Sequence, residues 1–367
     1  MMPSLLSLYL DLVRFTAAVA VLLSHLSSPP FTEGIIFRGA GSVGTLAVTV
    51  FFVLSGHVIS YVTSHRDRTA IGYAAARISR LYSVVMVALL LTFLLDSLGM
   101  LLNPDFYSHR KMLADPPSVQ GYAASFLLVN EFQSFGFNGI CPGTNAPWWT
   151  LSFEAAYYLI AGLFIFLKPR ISVPLCLLAL IACGRTICAL FPLWMMGFLL
   201  YRVPSERLPA WPRRVWASLF AVSAVLTVVS PMIAWYLPSD NYGHRFPYSK
   251  FLIDRNLVAD YLPGALFCLN LVTARKMFEG VAFEPPGAMI IRWFGSLTFP
   301  LYLSHYPAMC LLAAVSPCGR DSWAHLLFLT GGILLLVVAL TPVCERLKTS
   351  LRSGIMNLAA HRKTACG

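Results

Sequence analysis

Long apolar runs separated by short polar segments dominate the chain up to about position 344. A transmembrane helix needs roughly 20 mostly apolar residues. The pattern therefore predicts an all-α fold, a polytopic membrane helix bundle of about ten spans with both termini on one side. The predicted spans lie near 8–27, 42–62, 81–102, 148–167, 172–190, 190–202, 214–235, 256–273, 294–315 and 322–344.

Three segments depart from this simple pattern. The apolar stretch at 121–130 is about half the length that a span needs, so it is predicted to be re-entrant or interfacial. The run at 190–202 is also short, and the pattern leaves its boundary with the preceding run open. Asp11 and Arg14 interrupt the first run, which is therefore predicted to be a retained helix and not a cleaved signal peptide.

Composition and charge place the chain in a membrane. The chain has 367 residues, of which 57% are hydrophobic and 12% charged, and a net charge of +11. Soluble domains average about 25% charged residues, so a water-soluble globule is excluded. Most Lys and Arg residues fall in segments on the side of the termini, which predicts cytoplasmic termini in the inner membrane and no nucleic-acid partner. Residues 1–350 are expected to form one membrane domain and 351–367 a short basic cytoplasmic tail.

The first helix carries ionisable residues at membrane depth, where such residues usually mark function. Arg14 and His25 are eleven residues apart. That spacing brings them to within about 20° of one helix face and about 16 Å apart along the axis. One stripe then offers a cation toward the cytoplasm and an imidazole toward the exterior. The alternative is that Asp11 and Arg14 only form an i,i+3 ion pair and that His25 lies at an interface.

Two further motifs precede the large loop at 103–147. Ser55 and Gly56 allow close approach of another helix. Arg77 and Arg80 share a helix face at i,i+3 and suit a clamp for phosphate or pyrophosphate. Ordinary positive-inside charge is the alternative explanation for these two arginines.

The later spans contain two more polar groups. Trp149 and Glu154 begin the fourth span, where Glu154 near the external face can orient a histidine or bind a hydroxyl. His305 lies at mid-membrane in the ninth span, between prolines that are expected to bend the helix. A buried histidine of this kind is also compatible with a purely structural role. No metal is predicted, because no His, Asp and Glu residues have ligand spacing.

The order of these motifs resembles the acyltransferase-3 family, which consists of integral membrane O-acyltransferases of extracytoplasmic glycans and secreted small molecules. The resemblance extends from about residue 8 to 344 and rests on five motifs. They are the Arg14–His25 spacing, FFVLSG at 51–56, RISR at 77–80, WTLSFE at 149–154 and PLYLSHYP at 300–307. His57, Ser83 and Ser304 depart from the family's usual residues, and Ser304 is the departure that bears on the shape of the pocket.

The resemblance implies ten helices with cytoplasmic ends and an acyl-CoA donor, usually acetyl-CoA, supplied from the cytoplasm. It also implies essential residues at the positions of Arg14, His25, Arg77 and Arg80. In this view the arginine pair holds the CoA phosphates and Arg14 contacts the donor. His25 acts as general base on a saccharide hydroxyl, with direct transfer ranked above an acyl-histidine intermediate. Glu154 sets the imidazole tautomer or holds the sugar, and Arg14, Ser55 or Trp149 supplies the oxyanion donor.

Two alternatives follow from the same residues. A transporter or flippase would also use intramembrane charges and a proline-broken helix. A second alternative keeps the family but uses a longer donor such as succinyl-CoA, or a lipid or macrolide acceptor. Acceptor specificity is predicted to lie in the aromatic-rich loops 103–147 and 236–255.

Overall fold

The computed structural model describes residues 4–36, 41–109, 118–137, 139–236, 257–281 and 283–365. Within these ranges the chain forms helices, turns and connecting segments without any strand, which confirms the predicted all-α fold. Residues 237–255 of the second predicted acceptor loop lie outside the described residues.

Twelve α-helices are found in the described ranges. They are α1 (Ser4–Leu26), α2 (Gly41–His65), α3 (Ala70–Leu102), α4 (Pro104–His109), α5 (Val119–Phe126), α6 (Trp149–Phe166), α7 (Pro169–Cys183), α8 (Arg185–Arg202), α9 (Arg213–Tyr236), α10 (Leu257–Met277), α11 (Ala288–Val315) and α12 (Trp323–Ala365). Short 3₁₀ turns lie at Gln133–Phe135, Ala146–Trp148 and Ser205–Arg207.

Seven of these helices are long and apolar enough to cross a membrane, counting only the described residues. They are α1, α2, α3, α6, α9, α10 and α12, so the chain is a multi-pass membrane protein. The other three predicted spans fall on α7, α8 and α11. The count of ten and the cytoplasmic termini stay predictions. The half-length stretch at 121–130 overlaps α5, an eight-residue helix that ends at Phe126.

Helix boundaries differ from the predicted ones at three places. The third helix begins at Ala70 and not near 81, because the Thr69 side chain accepts a hydrogen bond from the Gly72 N–H and caps it. The break predicted at 190 occurs at Gly184, whose φ of +90° suits glycine alone. Residues 351–365 of the predicted tail continue α12.

One compact unit comprises Met1–Ser24, Gly39–Arg66 and Cys188–Ser296. Within it, α2 crosses α8 with their backbones in direct contact. A Cβ atom on Gly56 would clash with the Trp194 carbonyl oxygen, and one on Gly197 would clash with the Val53 carbonyl oxygen. The close approach expected of the Ser55–Gly56 pair is therefore confirmed, with glycine required on both helices.

The second unit comprises His25–Arg38, Asp67–Ile187 and Leu297–Gly367. Its buried Asp96 accepts hydrogen bonds from the N–H and hydroxyl of Thr144, at 2.8 and 2.7 Å. Asn145 donates to Thr92 Oγ1 at 3.0 Å and to the Leu303 carbonyl at 2.8 Å. These bonds hold the segment that leads into α6 against α3 and α11.

Candidate functional site

Two histidines from opposite ends of the chain meet in the second unit. The rings of His25 and His305 lie with centroids 5.3 Å apart and planes tilted by 32°. His305 is buried, and its Nδ1 lies 3.0 Å from the Leu301 carbonyl oxygen, which requires Nδ1 to be the donor. Its buried Nε2 has no hydrogen-bond partner among the described residues. His25 is only half-buried, so it is the more accessible imidazole of the pair.

Aromatic and polar contacts fix the surroundings of His25. The Tyr306 ring meets the His25 ring edge to face at 5.0 Å and the Phe31 ring at 5.6 Å. The buried His325 lies 2.8 Å from the Phe31 carbonyl oxygen through Nε2. Arg320 donates to the Pro29 carbonyl at 3.0 Å. The segment that follows α1 is therefore anchored at Pro29 and at Phe31, which restrains the end of α1 at His25.

A cationic cavity of about 460 Å³ lies between α3 and α12. It contains the predicted arginine pair, Arg77 and Arg80, on its α3 side. Its full lining is Ala76, Arg77, Ser79, Arg80, Lys348, Thr349, Arg352, Ser353 and Met356. Four cations and three hydroxyl groups facing one cavity are the groups that bind a phosphate ester.

Asp67 and two tyrosines organise the arginines of this cavity. The buried Asp67 carboxylate accepts from Arg77 at 3.1 Å and from Arg352 at 3.4 Å. The Arg77 guanidinium lies over the Tyr73 ring at 5.8 Å and over the Tyr158 ring at 5.6 Å. Tyr158 donates a hydrogen bond to Glu154. Glu154 therefore belongs to the network around Arg77, one side chain removed from it.

Helix α11 connects the cavity to the imidazole pair. The Arg80 guanidinium lies over the Phe299 ring at 5.7 Å, and His305 lies six residues further along the same helix. At 1.5 Å per residue the two positions are about 9 Å apart along the axis. Phe299 and His305 are thus close along the axis of α11, on faces of the helix about 120° apart.

The remaining predicted residues have identifiable contacts. Arg14 pairs with Asp11 at 3.3 Å, which is the ion pair considered as an alternative from the sequence. Ser55 Oγ accepts from Trp194 Nε1 at 3.2 Å. The half-buried Trp149 packs edge to face on Phe153 at 5.0 Å. In the loop 103–147, Tyr107 is buried, whereas Phe135 is 64% exposed.

Sequence reasoning did not identify Asp67, Lys348 or Arg352 as site residues. Asp67 stood in a charged connection, and the two cations lay after the last predicted span, where basic residues are expected on topological grounds alone. Among the described residues, no group of three or more His, Cys, Asp or Glu side chains could hold a metal ion.

The structure is that of a multi-pass helical membrane protein with a cationic cavity and a pair of packed imidazoles in one unit. The family model described as an acyltransferase domain matches residues 7–342. The chain therefore belongs to the acyltransferase-3 family.

Two curated relatives are similar to part of the chain. An O-acetyl transferase of Shigella phage Sf6 is 31% identical over 158 residues, which are 41% of this chain and 44% of the relative. Acyltransferase MdmB of Streptomyces mycarofaciens is 29% identical over 177 residues, which are 47% of this chain and 41% of the relative. The matched stretches thus span less than half the length of either relative. No solved structure matches the chain.

Proposed function

We propose that this protein is a membrane O-acyltransferase that moves an acyl group, most simply acetyl, from cytoplasmic acyl-CoA to a hydroxyl of an extracytoplasmic saccharide. One observation carries the proposal. His305, whose ring packs against that of His25, lies on the same helix as Phe299, the residue whose ring Arg80 covers, about 9 Å further along the helix axis. Membership of the acyltransferase-3 family supports the reaction class, and so do the names of the two relatives.

The cationic cavity is the proposed binding site of the donor. CoA is too polar to cross lipid, but its pantetheine arm is long and thin. Arg77 and Arg80 hold the phosphates in the cavity, and the arm runs along α11 so that the thioester reaches the histidines. Contact of Arg14 with the donor stays a prediction from the sequence.

The proposed chemistry is direct transfer with His25 as general base. His25 takes the proton of the acceptor hydroxyl, and the oxygen attacks the thioester carbonyl. Collapse of the tetrahedral intermediate forms the ester and breaks the carbon–sulfur bond, and the leaving thiolate takes the proton back from the imidazolium. Trp149, in the same unit as His25, is the proposed donor to the oxyanion, and the parts of Arg14 and Ser55 stay predictions from the sequence.

His305 and Glu154 are proposed to position other groups. His305 is buried behind the more accessible His25 and limits the orientations of that ring. Glu154 holds the Tyr158 hydroxyl, and Tyr158 in turn covers the Arg77 guanidinium. The contacts of Glu154 thus support a role in orienting the donor-binding arginine in place of the role at the imidazole or the sugar that the sequence suggested.

CoA release by the purified protein tests the proposal. Protein in lipid nanodiscs is given labelled acetyl-CoA with candidate glycans, and both free thiol and labelled product are measured. Acceptor-dependent thiol release and a labelled ester are expected, whereas a transporter or flippase would release no thiol. The mass of the product gives the length of the transferred acyl group and so tests whether succinyl-CoA is the donor. Mass spectrometry of surface polysaccharides from deletion and complemented cells identifies a glycan acceptor or excludes one.

A further inference from the structure

The second wall of the cationic cavity is built by the last helix. Lys348 and Arg352 of α12 line the cavity opposite Arg77 and Arg80 of α3. The two cations are four residues apart, so they project from one face of the helix. Thr349 and Ser353, also four residues apart, add hydroxyl groups beside them.

The α12 side of the cavity lies after the last residue that matches the family model. The acyltransferase domain match ends at residue 342, whereas α12 runs to Ala365 without interruption. Lys348 and Arg352 therefore lie on an extension of the helix, which brings two more cations to a cavity that α3 alone would leave half open.

Cations outnumber carboxylates around the cavity. Asp67 pairs with Arg77 and Arg352, Glu345 pairs with Lys348, and Glu154 lies one side chain away from Arg77. The four cations of the lining therefore exceed these three carboxylates by one, which favours an anionic ligand. A phosphate monoester close to neutral pH carries almost two negative charges and three acceptor oxygens.

The two walls differ in their exposure to solvent. The Arg77 side chain is 13% exposed, whereas that of Arg352 is 56% exposed and that of Lys348 is 40% exposed. A donor whose thioester points inward toward His305 presents its opposite end to the outer, exposed wall. In acyl-CoA that end is the ribose with its 3′-phosphate monoester.

We propose that Lys348 and Arg352 form a subsite for the 3′-phosphate of CoA, while Arg77 and Arg80 hold the pyrophosphate. The subsite rests on the proposed function in that acyl-CoA is the donor. It makes the α12 extension the element that distinguishes CoA from donors without the 3′-phosphate. Phosphate headgroups of anionic lipids share this chemistry, so the experiment must separate the two sources.

Equilibrium binding separates them without requiring turnover. The full chain is reconstituted in phosphatidylcholine nanodiscs, and the affinities for CoA and for 3′-dephospho-CoA are measured by calorimetry. The wild type is expected to prefer CoA by about tenfold or more, as charge-assisted hydrogen bonds to one phosphate allow. Lys348→Gln with Arg352→Gln is expected to remove this preference, because it lowers the affinity for CoA much more than the affinity for 3′-dephospho-CoA.

Two control variants keep the result interpretable. Arg346→Gln removes an exposed cation from the same helix outside the cavity, and it is expected to keep the full preference for CoA. Lys348→Gln alone leaves the Asp67–Arg352 pair intact and is expected to lose part of the preference, so it serves if the double variant does not fold.

The proposal is overturned if the double variant still prefers CoA over 3′-dephospho-CoA by the wild-type factor. It is also overturned if the wild type shows no preference. If phosphatidylglycerol nanodiscs raise the thermal stability of the wild type but not of the double variant, and the CoA preference is unchanged, the wall binds lipid headgroups. Failure of the proposed function would differ, because binding would persist without acceptor-dependent thiol release.

Discussion

His25 and His305 lie ring against ring, 5.3 Å between centroids, although one belongs to the first helix and the other to the eleventh. His25 is partly accessible and His305 is buried with its Nδ1 bonded to the Leu301 carbonyl. We therefore expect different roles for the two imidazoles, with the accessible ring contacting a substrate and the buried ring holding its neighbour in place.

Replacing His305 is expected to slow the reaction without weakening donor binding. His305→Phe keeps a ring beside His25 but removes both nitrogens. We expect kcat to fall about tenfold to hundredfold, the usual cost of losing a group that orients a functional histidine, with the KM for acetyl-CoA unchanged. Ser304→Ala, which removes only a bond to the Pro300 carbonyl, is the control and should keep full activity. A raised KM with normal kcat would assign His305 to binding instead.

Removing the arginine pair is expected to impair donor use. Arg77→Ala with Arg80→Ala should raise the KM for acetyl-CoA by at least about tenfold and the KM for the acceptor much less, because two charge-assisted contacts to phosphate are lost. Arg80→Ala alone preserves the Arg77–Asp67 pair and tests the same point if the double variant unfolds. Arg68→Ala removes an exposed cation and should change neither KM. Equal losses for donor and acceptor would mean that the pair only sets topology.

The α2–α8 crossing predicts a large cost for one added methyl group. Gly56→Ala places a Cβ atom against the Trp194 carbonyl, so the helices must separate. We expect a loss of about 1–3 kcal/mol in unfolding free energy, as overpacking usually causes. Gly331→Ala, a helical glycine with open space around it, should be neutral or stabilising by up to about 1 kcal/mol. The unfolding midpoints of the two variants in detergent provide the measurement. Equal midpoints would contradict the close contact between α2 and α8 at Gly56.

Glu131, in the connection between α5 and α6, makes stability depend on pH. Burial raises the pKa of its carboxyl from 4.5 to about 7, opposed by a hydrogen bond from the Gly139 N–H. Because the folded state holds the proton more tightly than the unfolded state, its contribution to stability falls as pH rises from about 4.5 to about 7.

Glu131→Gln should remove this dependence and stabilise the protein at pH 8 by up to about 3 kcal/mol. Unfolding midpoints between about pH 4.5 and 8 provide the measurement. Glu206→Gln, at an exposed carboxylate, is the control and should follow the wild-type profile. A wild-type profile for Glu131→Gln would show that the carboxyl titrates normally.

The apolar helices are predictable from the sequence because each membrane span must by itself contain enough consecutive apolar residues to cross the lipid. Helix ends are predicted less well, because they depend on local groups. The Thr69 hydroxyl extends α3 back to Ala70, and the positive φ of Gly184 separates α7 from α8. Both residue types are recognisable signals for helix ends, but an apolar count alone does not use them.

The site is only partly predictable for a different reason. Individual site residues are recognisable because they are polar at membrane depth or belong to a motif. They are Arg14, His25, Arg77, Arg80 and His305. Their pairing depends on which helices are neighbours, which a single sequence does not specify. Lys348 and Arg352 join the cavity only because α12 continues past the last predicted span and packs on α3.

The most direct test of the account is acyl transfer by His25→Ala in the purified protein, with labelled acetyl-CoA and the acceptor identified for the wild type. We expect the rate of transfer to fall by about 10²–10⁴-fold or more, which is the rate enhancement that a general base typically contributes. The affinity for CoA and the unfolding midpoint are expected to stay at wild-type values. His361→Ala, at an exposed histidine of α12, should remain fully active. Wild-type transfer by a folded His25→Ala protein would contradict the central claim that this imidazole carries the proton.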